Sequence, residues 1–386
     1  MKLWRGEGSR MLLFKWALCG ALLTAMAVCP TLWETDRAFP SLPAIEGTPV
    51  LPQGLAVALA SLLALSVLAI AVLPAPRRLN FMPPILAAVL IAFDMNRLQP
   101  WLYEYMLMFV GLGLMDWRNP SSKRSRAAWA VCGFVVLSFY LWSGIQKANM
   151  TFATEIFPWL IGPFGQGTVH ALKAFWFLAP LAETSMGVLL VFPKTRTWGL
   201  GLVASMHLFN LFALGPLGLN YNSVVWPWNF WMIAIGFALF FRKDQPIFRA
   251  VWSTWSGKAI LALMGVMPAL NFAGLWDGFL SASYYSGRLR DGWIYLKPDG
   301  VAHMPEKYLF GNKGFEEKTE SISRIDITAW AESTINVPPY AEPRIYRALM
   351  RRLVAQGVPP DDMMLLVRDA APVTRDDQSY SAMPFR

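Results

Sequence analysis

Nine apolar runs, separated by short polar turns, dominate the first 278 residues of the chain. They cover residues 11–33, 55–74, 81–93, 101–116, 127–147, 170–193, 198–217, 222–241 and 258–278. Most of them approach the roughly 20 residues that a helix needs to cross about 30 Å of hydrocarbon. The pattern therefore predicts an all-α polytopic membrane bundle with about nine transmembrane helices.

Three of the runs differ from a standard transmembrane segment. The third and fourth are short and flank the polar segment 94–100. A tilted pair of helices and a hairpin that does not fully cross the membrane both fit these lengths. The first run has a basic start and an apolar core, as a signal peptide has, but no clean small-x-small site ends it. We expect it to be a retained helix.

Lysine and arginine are concentrated in every second turn between the runs. Sixteen lie in residues 2–15, 77–78, 118–126, 194–196 and 242–258, and the alternate turns hold only Arg37, Arg97, Lys147 and Lys173. The positive-inside rule then places the N-terminus in the cytoplasm. An odd number of spans puts the C-terminal part outside. We therefore expect a multi-pass protein of a cell (inner) membrane.

The character of the chain changes after the last apolar run, which predicts a membrane domain over 1–278 and a soluble domain over 279–386. The second segment holds 14 basic and 14 acidic residues and is neutral, so the net charge of +9 belongs to the apolar part. An extracytoplasmic domain of this kind is a possible docking surface for a protein partner.

Local patterns predict a small α+β fold for this second domain. The turn Lys297–Gly300 lies between two apolar stretches and predicts a β-hairpin. Apolar residues at helical spacing predict a helix over 341–356, which Gly357 closes. Residues 363–367 fit a strand.

Composition excludes several classes of function. The chain is 55% hydrophobic and 15% charged, whereas a typical soluble protein is about 25% charged. A nucleic-acid-binding protein concentrates its bases on a soluble face, but here the excess lies in short turns. The three cysteines lie in apolar stretches without a CxxC pair, so neither a disulfide framework nor a metal site is predicted. Membrane lipid is the expected partner.

Polar side chains inside apolar runs are costly and are therefore candidate functional groups. Glu183 lies midway along the sixth run and His207 midway along the seventh, with Asn210 about one turn further on. Glu183 and His207 each lie 12 residues from the intervening turn, which is about 18 Å along a helix. We expect antiparallel helices to bring these two side chains together. The pair is either a proton-transfer site or a hydrogen bond that holds the bundle together.

Lys147 ends the fifth run near the predicted outer interface. In a poorly solvated cleft a lysine gives up its proton more readily and can act as a general base. A lysine that extends toward the interface is the alternative. Asp94, Arg97 and Glu104 lie at the same outer level. We expect them to pair with one another or to face Lys147.

Residues 140–152 read Tyr-Leu-Trp-Ser-Gly-Ile-Gln-Lys-Ala-Asn-Met-Thr-Phe. This segment resembles one in the vitamin K-dependent γ-carboxylase family and in its bacterial relatives, the HTTM (horizontally transferred transmembrane) proteins. The resemblance continues without gaps through residues 183–207, where Glu183 precedes Ser-Met-Gly, two leucines, an arginine, Gly-Leu and His207. Residues 94–103 are similar more loosely and residues 275–287 more faintly. The match covers roughly residues 80–240.

The resemblance implies a quinone or other isoprenoid lipid as ligand. In the carboxylases a lysine, at the position of Lys147, starts the oxygenation of vitamin K hydroquinone, and Glu183 and His207 fall on polar family positions. Trp101 stands where the carboxylases have a functional histidine, and Asn149 replaces an acidic residue. The C-terminal domain is also too short for the region with which a carboxylase grips its protein substrate. We therefore expect the membrane chemistry rather than protein carboxylation.

Two classes of function follow from these observations. The first is an enzyme that acts on a quinone or other isoprenoid lipid, with Lys147, Glu183 and His207 as catalytic residues. Its expected ligand contacts are Asp94, Arg97, Tyr103 and Asn210. The second is a non-catalytic membrane scaffold or lipid-binding protein whose outer domain docks a partner. A secondary transporter is less favoured, because the sequence has no inverted repeat.

Overall fold

The apolar part of the chain folds into a bundle of helices. The computed structural model describes residues 6–241, 246–309, 315–318, 323–370 and 380–384. The helices of the apolar part are α1 (Glu7–Val28), α2 (Gln53–Val72), α3 (Met82–Phe93), α4 (Pro100–Leu114), α5 (Lys123–Gln146), α6 (Phe157–Ile161), α7 (Gln166–Leu172), α8 (Leu178–Val191), α9 (Arg196–Leu214), α10 (Val225–Phe240), α11 (Ile247–Trp252), α12 (Trp255–Ile260) and α13 (Met267–Leu270). Each of the nine predicted apolar runs contains helix.

Five helices of the described residues are long and apolar enough to cross a membrane, namely Glu7–Val28, Gln53–Val72, Lys123–Gln146, Arg196–Leu214 and Trp255–Ala273. The pair Gln166–Phe175 and Leu178–Val191 is bent by 61° and is a sixth if it forms one span. The apolar helices Leu79–Phe93 and Val225–Phe240 are shorter. The chain is therefore compatible with a multi-pass membrane protein, but the prediction of nine spans is not confirmed.

The outer surface of the bundle carries large apolar side chains that a water-soluble protein would bury. On α2, for example, Leu65 is 60% exposed and Val72 is 79% exposed. Contiguous apolar surface of this kind is rare on soluble monomers. It is expected where helices face lipid tails.

The base-rich ends of the helices lie together at one end of the bundle. Near the start of α1, Arg10 donates to the carbonyl of Phe241 at 2.5 Å. One turn further on, Lys15 donates to the carbonyl of Leu73 at 2.8 Å. Both carbonyls follow the last turns of their helices, α10 and α2, so the basic side chains satisfy backbone groups that a helix leaves without partners.

A buried polar cluster, formed by Arg37, Asp94 and Arg97, occupies the opposite end. The Asp94 carboxylate pairs with Arg37 and lies 3.9 Å from Nε of Arg97. Arg97 also donates to the carbonyls of Leu32 and Leu90, each at 3.1 Å. These hydrogen bonds satisfy backbone carbonyls near the end of α3 and in the segment between α1 and α2. Helices α3 and α4 are both short, as predicted. The expected pairing of Asp94 with Arg97 is present.

The C-terminal domain contains a five-stranded antiparallel sheet in the order β2-β3-β1-β4-β5. Its strands are β1 (Asp291–Leu296), β2 (Phe315–Lys318), β3 (Ser323–Asp326), β4 (Met363–Arg368) and β5 (Tyr380–Pro384). Its helices are α14 (Pro298–Ala302), α15 (Glu306–Leu309), α16 (Ile327–Ile335) and α17 (Pro343–Ala355). The predicted helix over 341–356 and strand over 363–367 are confirmed as α17 and β4.

The predicted hairpin at Lys297–Gly300 is wrong. Pro298 is the first residue of α14, a position where proline suits a helix because the missing amide hydrogen has no partner there. Strand β1 pairs instead with β3 and β4, which come from later in the chain. The turn signal at Lys297–Gly300 thus marks the end of β1 and the start of a helix, not the turn of a hairpin.

The C-terminal domain packs on the end of the bundle that carries the buried Arg37–Asp94–Arg97 cluster. Gln99, just before α4, donates to the carbonyl of Pro338 at 3.0 Å. Asn336, just after α16, donates to the carbonyl of Val28 at the end of α1, at 3.1 Å. The domain thus lies opposite the base-rich turns. That this side is extracytoplasmic stays a prediction from the positive-inside rule.

The buried cluster should be essential for stability. Asp94→Asn leaves two buried guanidinium groups without their carboxylate, which should lower the free energy of unfolding by about 3–5 kcal/mol. Glu46→Gln, between α1 and α2, is the control, because that carboxylate is 73% exposed and pairs with Arg351 only at the surface; the expected change there is below about 1 kcal/mol. Titration with a denaturing detergent measures the free energy of unfolding of both variants. Equal losses of stability in Asp94→Asn and Glu46→Gln would contradict the stabilising role of the buried cluster.

Candidate functional site

The candidate site is a cavity inside the helical bundle. Its volume is about 250 Å³, and it lies among α5, α8, α9 and α10, with apolar and aromatic side chains together forming most of the wall. Four of the seven sequence-predicted site residues line it: Lys147, Glu183, His207 and Asn210. The cost of burying polar groups in a membrane therefore located this site from sequence alone.

One face of α5 supplies the central polar groups of the cavity. Tyr140, Ser143 and Lys147 all line the cavity, and their spacing of three and then four residues places them on one side of a helix. Lys147 is the residue at which α5 ends. The helix therefore presents a phenol, a hydroxyl and an amine along one line.

Lys147 is hydrogen-bonded to two side chains. Its Nζ lies 2.6 Å from Oε2 of Glu183 and 2.6 Å from Oγ of Ser143. Ser143 in turn donates to the same Oε2 at 3.2 Å. The side chains of Lys147 and Glu183 are 8% and 13% exposed. Lys147 is therefore part of a hydrogen-bonded ion pair and is not an isolated lysine.

Two glycines allow α5 and α8 to approach closely enough for this pair. A Cβ on Gly144 of α5 would lie 2.4 Å from the backbone nitrogen of Thr184. A Cβ on Gly187 of α8 would lie 2.7 Å from the carbonyl oxygen of Leu137. Small residues permit such backbone contact between membrane helices. The contact sets Glu183 opposite Lys147.

A second polar chain joins α5, α9 and α10. Nε2 of His207 lies 2.7 Å from the Tyr140 hydroxyl, and its Nδ1 lies 2.7 Å from Oδ1 of Asn229. The Asn229 amide nitrogen donates to the carbonyl of Val225 at 2.7 Å, which fixes its oxygen as the acceptor for His207. Nδ1 therefore carries a proton, and in the neutral ring the Tyr140 hydroxyl donates to Nε2.

The predicted pairing of Glu183 with His207 is wrong. Glu183 binds Lys147 and Ser143, whereas His207 binds Tyr140 and Asn229. Counting residues from the turn gives the height of each side chain along its helix but not its direction around the helix axis. Both side chains do reach the same cavity.

The other predicted ligand contacts are distributed unevenly. Asn210 lines the cavity, and its amide nitrogen lies 2.9 Å from the sulfur of Met206. Asp94 and Arg97 are part of the buried outer cluster and do not line the cavity. Tyr103 does not line it either, and among the described residues its buried hydroxyl has no hydrogen-bond partner.

Glu104 differs from the expectation of an outer ion pair. It is fully buried, and its Oε2 accepts from the indole of Trp228 at 3.3 Å. No basic side chain of the described residues lies within ion-pair distance of it, and its Oε1 has no partner there. Trp228 lines the cavity, so Glu104 lies directly behind the cavity wall. In the sequence Glu104 is a single acidic residue in an apolar run, and this pattern does not indicate Trp228 as its hydrogen-bond partner.

The sequence reasoning missed four residues that line the site: Ser143, Tyr140, Asn229 and Trp228. Three of them had an accessible signal. Tyr140 and Ser143 lie seven and four residues before Lys147 and so share its helix face. Asn229 is an amide in the middle of an apolar run, which the cost of polar groups in lipid marks as a candidate.

The cavity reaches the apolar outer surface of the bundle. Ser205 of α9 lines the cavity and is also exposed. Leu208, on the same helix, is 59% exposed, and Leu181, on α8, is 58% exposed. The opening between α8 and α9 therefore faces the region that lipid tails would occupy.

Two tyrosines of the segment that precedes the C-terminal domain, Tyr284 and Tyr285, also line the cavity. Asn222 is hydrogen-bonded to the hydroxyl groups of both. A smaller cavity of about 120 Å³ lies beyond them, between the bundle and the C-terminal domain. The two tyrosines therefore separate the membrane cavity from the domain above it.

A buried carboxyl of the C-terminal domain belongs to the same tyrosine cluster. Burial raises the pKa of Glu332 to about 8, and its hydrogen bond with Tyr221 acts in the opposite direction. The Tyr221 ring packs against Tyr285, with centroids 6.4 Å apart. Glu332 is therefore mostly protonated at neutral pH and can donate as well as accept a hydrogen bond.

Among the described residues, no group of three or more His, Cys, Asp or Glu side chains is arranged to hold a metal ion. The polar groups of the site are instead one amine together with carboxyl, hydroxyl, imidazole and amide groups. Such a set binds oxygen-bearing ligands and moves protons.

The contact between α5 and α8 can be tested with matched glycine variants. Gly144→Ala places a methyl group against backbone atoms of α8, so the helices must separate; we expect the free energy of unfolding to fall by about 1–3 kcal/mol. Gly201→Ala on α9 is the control, because no atom lies within 4 Å of its added Cβ. Titration with a denaturing detergent measures the free energy of unfolding of both variants. A Gly144→Ala protein as stable as the wild type would disprove the close contact.

Comparisons with known proteins add no family to these observations. No protein-family model, no curated protein and no solved structure matches the chain. The resemblance to the carboxylases and HTTM proteins thus stays a prediction based on the quoted segments.

Proposed function

We propose that the chain is an integral membrane protein that binds a quinone-type isoprenoid lipid and transfers a proton between its head and the Lys147–Glu183 pair. The observation that carries the proposal is a hydrogen-bonded lysine–carboxylate pair in the wall of an apolar cavity. The cavity reaches the outer face of the bundle at Ser205. A ligand can therefore arrive from the membrane without passing through water.

The volume and lining of the cavity favour a ligand with a small, mostly apolar head. Small-molecule sites are mostly apolar, with a few placed polar groups. At about 250 Å³, the cavity lies just below the common range of roughly 300–1,000 Å³. It fits the head of such a lipid, and the tail would extend through the opening between α8 and α9. Phe139, Phe152 and Trp228 supply aromatic surface for the head.

Glu183 is the residue best placed to accept a proton from the ligand. Among the described residues, Glu183 accepts its hydrogen bonds from Ser143 and Lys147 through Oε2, which leaves Oε1 available to a bound hydroxyl group. A reduced quinone supplies such a hydroxyl on an aromatic ring. When its proton moves to Oε1, the ammonium of Lys147 loses its carboxylate partner and stabilises the negative oxygen that remains. Charge is conserved within the pair and the ligand.

The Tyr140–His207–Asn229 chain is a second contact point for the ligand. With His207 neutral, the Tyr140 hydroxyl donates to Nε2, so its oxygen can still accept a hydrogen bond. Tyr140 and Lys147 are seven residues apart, or about 10 Å along the helix. The two groups can thus contact opposite ends of one head group. His207 acts here as a positioning residue.

A non-catalytic lipid-binding or scaffold protein is the alternative. Its support is that the Tyr140–His207–Asn229 chain connects three helices and leaves both ring nitrogens of His207 hydrogen-bonded. Hydrogen bonds of this kind hold membrane helices together without any chemistry. In that case the C-terminal domain would carry the function by docking a partner.

Binding of a short-tailed isoprenoid naphthoquinol to the purified protein tests the proposal. Removing both charges in a Lys147→Met/Glu183→Gln protein avoids an unpaired buried charge, which favours folding. Hydrogen bonds to charged groups are worth about 1.5–3 kcal/mol, so we expect the Kd to rise about 10- to 100-fold. Lys173→Met, at an exposed lysine outside the cavity, should bind as the wild type does.

The result also separates the two candidate functions. If the wild type and the double variant bind the naphthoquinol equally tightly, the Lys147–Glu183 pair is not part of the ligand site. Absence of binding by the wild-type protein would favour the scaffold alternative.

A further inference from the structure

A second, more polar cavity lies outside the membrane site. Its volume is about 370 Å³, and it is formed where the last apolar helix meets the C-terminal domain. Three segments line it: residues 271–278, 288–290 and 340–344, together with Ala370. It shares no lining residue with the first cavity.

Arg288 is an unpaired buried cation in this cavity. The residue is only 5% exposed. Its Nε and Nη1 are buried and have no hydrogen-bond partner among the described residues, and no carboxylate there lies within ion-pair distance. The guanidinium carbon lies 4.5 Å from the ring centroid of Phe272. A buried charge without a partner is strongly unfavourable, so an anion from outside the described residues is the expected partner.

The acidic residues of the same cavity are already occupied. Asp277 accepts from the Tyr340 hydroxyl and, at 2.9 Å, from the backbone nitrogen of Leu280. Glu342 pairs with Arg290 at 3.3 Å. Neither carboxylate neutralises Arg288.

Further hydrogen-bond donors lie around Arg288. Trp276 lines the cavity, and its indole nitrogen is buried and has no hydrogen-bond partner among the described residues. Arg344 is exposed at the edge of the cavity and donates to the carbonyl of Ala44 at 3.1 Å. The cavity thus offers a rigid guanidinium fork with an N–H donor and a second cation nearby. This combination matches the geometry and charge of a phosphate group.

The position of the cavity relates it to the membrane surface. It begins within the end of the apolar helix Trp255–Ala273. Leu275, also in the lining, is 73% exposed. An apolar side chain at the rim and cations inside suit a molecule that has both a phosphate group and an acyl chain.

We propose that this cavity binds a phosphate group, with Arg288 as its principal ligand. A lipid headgroup and a soluble phosphate ester offer the same chemistry. The proposal does not rest on the function of the first cavity, because the two sites share no residues.

Thermal unfolding of the full-length protein in a neutral detergent tests the site. The probes are dihexanoyl phosphatidic acid, dihexanoylglycerol as the phosphate-free lipid control, and inorganic phosphate against chloride at equal ionic strength. The variants are Arg288→Met, Arg288→Gln and the control Arg351→Met, which changes an exposed arginine outside the cavity. Both Arg288 variants should unfold at or above the wild-type temperature when no probe is present, because they remove an unpaired charge.

We expect phosphatidic acid, but not dihexanoylglycerol, to raise the unfolding temperature of the wild type and of Arg351→Met. Both Arg288 variants should bind it about 10- to 100-fold more weakly, which is the loss of hydrogen bonds to a charged group. A shift with inorganic phosphate as well would identify a soluble phosphate as a ligand, and a shift with the lipid alone would identify a headgroup. The proposal would be overturned if the Arg288 variants bound phosphatidic acid as tightly as the wild type does. It would also be overturned if phosphatidic acid did not raise the unfolding temperature of the wild type.

Discussion

The close contact of α5 with α8 is the constraint on which the membrane site depends. Neither Lys147 nor Glu183 can be held alone in an apolar environment, because each isolated charge costs several kcal/mol to bury. Gly144 and Gly187 remove the side chains that would separate the two backbones. The ion pair and the cavity beside it then follow from the same contact. A larger residue at either glycine would affect both.

The buried Arg37–Asp94–Arg97 cluster and the cavity differ in role, the first being structural and the second chemical. The cluster of Arg37, Asp94 and Arg97 satisfies irregular backbone where the C-terminal domain packs, and its polar atoms are used within the protein. In the cavity, by contrast, Oε1 of Glu183 and the oxygen of Tyr140 retain capacity to bind. Polar groups buried for structure and polar groups buried for chemistry are thus distinguished by what remains unsatisfied.

Sequence reasoning found the components of the site but not their partners. The cost of polar side chains in lipid identified Lys147, Glu183, His207 and Asn210, and all four line one cavity. The pairing of Glu183 with Lys147 depends on the rotation of each helix about its axis, which a single sequence does not specify. Likewise, β1 and β4 pair across about 70 residues, so the local signal at Pro298 could not show the sheet order. Helix positions were predictable because hydrophobic runs are local, whereas span number depends on exact helix length.

Infrared difference spectroscopy of the protein with a reduced and an oxidised short-tailed isoprenoid quinone tests the central claim most directly. The account predicts that a protonated-carboxyl band appears with the reduced form, as Glu183 accepts the proton, and that Glu183→Gln abolishes it. Glu104 and Glu332 should cancel in the difference because neither contacts the ligand. A band that persists in Glu183→Gln, or a spectrum without a carboxyl change, would contradict proton transfer to the Lys147–Glu183 pair.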